Sequence, residues 1–148
     1  MVEKGLVARS FRYMATEYFL AEGALPERDF LTVHFFLHGH SLELGFKAFL
    51  STNDRGIEEL KLDFGHSLEK LLQECVTAGL AAFFTDIAGL QECVRMIDKD
   101  YARKQFEYSE KAMLILPELA AVRKLVGELL AATKTAERNW ESDRTTNT

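Results

Sequence analysis

Apolar residues recur along this chain at the three-and-four spacing of an amphipathic helix, and nowhere do they alternate long enough to suggest a strand. The first periodic segment spans about Val2 to Ala21, with Leu6, Phe11, Met14, Tyr18 and Phe19 as its apolar positions. Glu22-Gly-Ala-Leu-Pro26 ends it. A second segment runs from about Glu27 to Ser51, with Pro26 near its first turn. The connection from Thr52 to Gly65 is polar. A third segment, Ser67 to Ala78, stops at Gly79, a residue suited to a helix C-terminus. A fourth covers about Ala82 to Lys99. The fifth starts at Pro117 and reaches about Glu137. Between them, Tyr101 to Leu116 loses the period and reads as a loop. Residues 138–148 are polar and read as a flexible tail. The pattern predicts an all-α, up-and-down bundle of about five helices in a single domain over residues 1–137.

The second segment is unusual. HFFLHGHSLELGFKAFL, residues 34–50, is almost continuously apolar yet carries three histidines, a glutamate and a lysine. Polar groups in such a stretch must be satisfied by the fold or used in chemistry. On a helical wheel, Leu31, Phe35, Leu42, Phe46 and Phe49 form a core stripe. Ser41, Gly45 and Ala48 form a small-residue face that a neighbouring helix can approach closely. His34 and His38 border that face. His40, Glu43 and Lys47 share a third arc beside Phe36. Glu43 and Lys47 are an i,i+4 pair in the favourable order, and His40 reaches the same carboxylate from one turn earlier. A helix apolar on most sides is central in its bundle or lies at a subunit contact. The arc is either a polar cluster that fixes the helix or a ligand or phosphate site using His40 and Lys47. His66, ahead of the third helix, either caps or packs locally or faces the same cluster; His66 or Ser67 occupies the cap position.

Composition narrows the classes. The 148 residues carry a formal net charge of −5 without a Lys/Arg block, which argues against a broad nucleic-acid surface. No window has the unbroken apolar length of a membrane span, and the N-terminus lacks an apolar leader, so a cytoplasmic protein without membrane association is expected. Cys75 and Cys93 form no paired-cysteine motif and read as reduced, buried thiols. No glycine-rich phosphate loop occurs and no cofactor is implied. His34 and His38 have the spacing to share a metal on one face, but no third ligand is evident, and no metal site is assigned. The mixed charges from Asp98 to Lys104 read as a solvated helix end. The face built by Leu119, Val122, Leu125, Val126, Leu129 and Leu130 packs in the bundle or meets a partner.

Two stretches together resemble a known family. HSLELGFKAFL, then a polar loop, then GHSLEKLLQECVTAGL, is similar to the HEPN domain (higher eukaryotes and prokaryotes nucleotide-binding). His40, Leu42, Glu43, Leu44, Lys47 and Ala48 match its first conserved helix. Gly65, His66, Leu68, Leu71 and Leu72 match the segment that follows. Phe106-Glu107-Tyr108-Ser109 resembles an aromatic-Arg-Tyr-Pro loop, with Glu in place of Arg. The resemblance covers roughly residues 8–130. It implies a helical bundle that is often a homodimer, working in toxin–antitoxin, phage-defence or RNA-processing systems, sometimes with a separately encoded nucleotidyltransferase as partner protein. Catalytic members are metal-independent ribonucleases with an Arg followed, after a short spacer, by a His. The histidine moves the 2′-OH proton and the arginine meets phosphate charge. Here the late helices contain no histidine. Arg28 and His34, five residues apart in spacer, are the one match, at a different place in the fold. The expectation is therefore a non-catalytic HEPN-like module that homodimerises and binds a partner protein, a nucleotide or RNA. The alternative is a ribonuclease using Arg28 and His34, or a His40/His66 cluster.

Overall fold

A computed structural model describes residues 4–53, 67–101 and 117–146. The described chain is all-α. Helix α1 spans Lys4–Gly23, α2 Leu31–Ser51, α3 Leu68–Thr77, α4 Ile87–Tyr101 and α5 Leu119–Thr146. A short 3₁₀ turn, Leu80–Ala82, sits between α3 and α4.

Helices α1 and α2 form an antiparallel hairpin: His34 meets Glu22, and further along Ser41 Oγ donates to the Ala15 carbonyl at 2.8 Å. The hairpin turns through Phe30, whose φ of 61° is left-handed. That region costs a bulky L-residue about 1–2 kcal/mol, so surrounding contacts must hold it. As a result α2 starts at Leu31, later than the expected Glu27, and Leu31 is exposed instead of joining the core stripe. Leu6 and Met14 of α1 also face solvent.

The rest of α2 is the central helix its composition predicts. Phe35, Leu42, Phe46 and Phe49 are fully buried, and α2 contacts α1, α3, α4 and α5. Its small-residue positions serve two neighbours. Ser41 bonds α1. Gly45 admits α5 so closely that a Cβ there would lie 3.0 Å from Leu129 Cδ2. Val122, Leu125, Val126 and Leu129 complete the core from α5.

Two expectations at helix ends need correction. The polar residues after Glu137 continue α5 to Thr146. The cause is tertiary: Trp140 covers Gly5, where a Cβ would lie 2.7 Å from the indole, and Glu137 and Glu141 receive Arg9 and Arg12 of α1. Asp98, read as part of a solvated helix end, is buried. Its carboxylate accepts the backbone N–H of Leu68 at 2.8 Å and of Glu69 at 3.2 Å, the unsatisfied donors at the start of α3. Ser67, one of the two residues expected at the cap position, is the N-cap and accepts from Lys70 N. Gly79 follows α3 with φ of 99°, in the left-handed region that favours glycine. Cys75 and Cys93 are free and buried. Burial pushes the Cys93 thiol up to about 12, and that of Cys75 well above its ordinary value. The expected loop at 101–116 lies outside the described residues beyond Tyr101.

Candidate functional site

The polar arc of α2 assembles as helical spacing requires. His40 Nδ1 lies 3.5 Å from Glu43 Oε2, one turn on. Lys47 Nζ donates to Glu43 Oε1 at 3.4 Å from the other side. Glu43 is buried, while the His40 side chain keeps 23% of its surface exposed. Aromatic rings frame the imidazole. Tyr18 of α1 stacks on it with centroids 5.0 Å apart, and Phe36 meets it edge-on at 4.5 Å. The arrangement presents one imidazole edge and one ammonium, set on a shared carboxylate and flanked by π faces. Such a patch suits an aromatic ring and a phosphate group together. His66, expected beside it, lies outside the described residues, as does Glu107.

A second cluster lies nearer the hairpin turn, and its central residue is Glu22. The carboxylate is fully buried at the last turn of α1. Arg123 of α5 grips it with two parallel bonds: Nε to Oε2 at 3.0 Å and Nη2 to Oε1 at 2.7 Å. A third bond from Arg123, Nη1 to Glu27 at 3.1 Å, ties in the connection. His34 Nδ1 lies 2.8 Å from Glu22 Oε1, and His38 Nε2 lies 3.2 Å from Oε2. Burial pushes the Glu22 carboxyl up, but the hydrogen bonds of Arg123 and His34 outweigh it and bring it down to about 2. His38 goes the opposite way from a gained ion pair. Its burial dominates and pushes it down to about 4, against the pull of Glu22. Neither ring nitrogen of His38 makes a hydrogen bond: Nε2 approaches Glu22 off the line such a bond requires.

His34 is held more tightly. Its ring is fully buried, and Nε2 lies 2.8 Å from the Pro26 carbonyl. Both ring nitrogens of His34 thus face buried protein acceptors, and neither opens onto a space that a substrate hydroxyl could enter. Arg28 is exposed on the connection before α2. Within one chain the structure does not bring Arg28 and His34 to a common accessible cleft. The i,i+4 histidine pair does gain an acidic neighbour in Glu22, yet Arg123 already occupies that carboxylate. No group of three His, Cys, Asp or Glu among the described residues is placed to hold a metal ion.

Glu22 and Arg123 were not singled out by sequence. Glu22 sits in the helix-breaking stretch and Arg123 within the apolar run of α5, where each looks like a solvated charge. The one available signal was position: an arginine between Val122 and Leu125 flanks the buried face.

Comparison with protein-family models, curated proteins and solved structures found no match for this chain. Among the described residues, no helix is long and apolar enough to cross a membrane.

Proposed function

We propose that this chain is a HEPN-type helical module that binds a nucleotide or RNA without cutting it, and that acts as a homodimer. The observation that carries this reading is the state of His34. The histidine with ribonuclease-like spacing from an arginine is buried and committed through both nitrogens to Glu22 and Pro26. General-base catalysis needs a nitrogen within reach of the substrate hydroxyl, and His34 offers none. The ligand patch is the arc of His40, Glu43 and Lys47 with Tyr18 and Phe36. Lys47 supplies a cation for phosphate, and the rings supply stacking surfaces for a base. A toxin–antitoxin or defence setting in the cytoplasm, with a nucleotidyltransferase as partner protein, belongs to the same reading and rests on the sequence resemblance alone.

A second reading is favoured by the exposed edge of His40, which is absent at His34. In it, His40 is the base of a metal-independent ribonuclease. Binding of a fluorescently labelled RNA oligonucleotide and of a labelled nucleotide, followed by anisotropy, tests the patch. Lys47→Ala and His40→Ala are expected to weaken binding at least tenfold in protein that a thermal melt and circular dichroism show to be folded at the assay temperature, although both melts fall because Glu43 is buried beside them. Equal affinity in wild type and both variants would remove the arc from the function.

A further inference from the structure

The large apolar side chains left open to solvent are not scattered. Among the described residues they all fall between Leu6 and Val33, on α1 and at the entry to α2. On α1 three of them, Leu6, Tyr13 and Leu20, are 57%, 61% and 64% exposed and follow one another at intervals of seven. At 100° per residue they stay within a narrow meridian. That meridian points away from Ala8, Ala15 and Glu22, the positions through which α1 packs into the bundle. An amphipathic surface helix should carry polar residues there; α1 carries a leucine–tyrosine–leucine line.

We propose that this outer face of α1, with Phe30 and Leu31 beyond its end, is the contact between two copies of the chain. The proposal deepens the homodimer reading above and rests on it. Three observations choose a second copy as the occupant. The first is area. Leu6, Tyr13, Leu20, Phe30 and Leu31 are each more than half exposed and together leave about 600 Å² open, so two copies can bury up to about 1,200 Å² through these residues, the range of the ~1,000 Å² a specific interface needs. The second is self-complementarity. Leu6 and Leu20 stand equally far from Tyr13, so a two-fold axis at Tyr13 with antiparallel α1 helices sets Leu6 against Leu20 of the other copy, and Tyr13 against itself. This is the condition for an isologous contact. The third is charge. The nearest cations, Arg9 and Arg12, are turned back onto Glu137 and Glu141 of α5, at 2.7 Å for Arg9–Glu141 and 2.8 Å for Arg12–Glu137. The described arginines of α1 are thus paired within the fold and form no basic strip of the kind a nucleic acid or an anionic lipid surface would require; Arg28, beside Phe30, is a single exposed cation.

The test is the solution mass of the full chain by light scattering at high micromolar concentration, with cysteine cross-linking to set the orientation. The wild type is expected at twice its 16.8 kDa. Tyr13→Asp and Leu20→Asp are expected at the single-chain mass with unchanged helical circular dichroism, because both side chains are exposed and contribute little to the fold. On mild oxidation Tyr13→Cys should give a disulfide-linked dimer, while Leu6→Cys should cross-link only when mixed with Leu20→Cys. The native Cys75 and Cys93 are buried and stay silent. A wild-type dimer that survives both aspartate variants would overturn this face and leave the homodimer reading standing. A wild-type monomer would overturn both. Cross-linking of Leu6→Cys to its own copy would overturn the antiparallel arrangement.

Discussion

Replacing Arg123 by alanine should expose how much the fold depends on the buried carboxylate. Glu22 is wholly inaccessible, and Arg123 supplies two of the bonds to it while also reaching Glu27. The fall of the Glu22 carboxyl from its ordinary 4.5 to about 2 corresponds to about 3 kcal/mol in favour of the ionised form. Removing one partner of a buried pair commonly costs about 3–5 kcal/mol, because the other charge stays behind. Arg123 is itself 28% exposed, so water can partly replace it, and the lower end applies. We therefore expect Arg123→Ala to destabilise the protein by about 3 kcal/mol at neutral pH, read from urea unfolding followed by circular dichroism. The pH dependence provides the sharper check. A carboxyl depressed in the folded state contributes stability that is present above its unfolded value and is lost as pH falls through its folded value. The cost of Arg123→Ala should thus shrink on acidification from about pH 4.5 towards 2, where Glu22 is neutral in both proteins. A cost below 1 kcal/mol, or one that stays constant down to pH 3, would refute the assignment of Glu22 as the charged centre of this cluster.

Other residues give independent outcomes. His38→Leu removes a buried ring without hydrogen bonds; it should cost little or stabilise at neutral pH. Because burial holds His38 at about 4, the wild type loses stability as pH falls from about 6.5 to 4; His38→Leu should lack that share of the loss in the same unfolding assay and keep the fall below about 4.5 that Glu22 brings. Asp98→Ala strips the cap from α3 and leaves the buried N–H of Leu68 and the partly buried N–H of Glu69 without this acceptor; a loss of about 2 kcal/mol is expected, with Asp98→Asn recovering part of it. Gly5→Val drives a side chain into Trp140, so tryptophan fluorescence should shift to longer wavelength as the indole is displaced, with about 1–3 kcal/mol lost.

What could be read from the chain divides along local and long-range lines. The contacts of His40 and Lys47 with Glu43 follow from spacing within one helix. Gly45 announced a close neighbour because a glycine inside a strongly apolar helix lowers helix stability unless packing requires it. The second cluster was out of reach for the same reason. Glu22 and Arg123 stand 101 positions apart, and neither has a helical partner that would mark it as buried. Asp98 caps α3 from 30 positions downstream, which made it indistinguishable from a solvated acid. The tail after Glu137 looked polar all round. Its helix is held by Trp140 on Gly5 and by the arginines of α1, contacts that hydrophobic periodicity does not register. Periodicity placed Leu31 on the core stripe of α2 and marked Leu6 and Met14 as apolar positions of α1. Their exposure shows that an apolar position on a helix specifies a contact without saying whether the neighbour belongs to the same molecule.

The central claim is that this protein binds its ligand and leaves it intact. Incubation of an end-labelled, structured RNA with the wild type, His34→Ala and His40→Ala in the absence of divalent metal, followed by gel analysis, addresses it directly. The account predicts intact RNA in all three reactions, even at high protein concentration. Cleavage by the wild type that is lost in a folded His40→Ala protein would contradict it and make His40 the base of a nuclease.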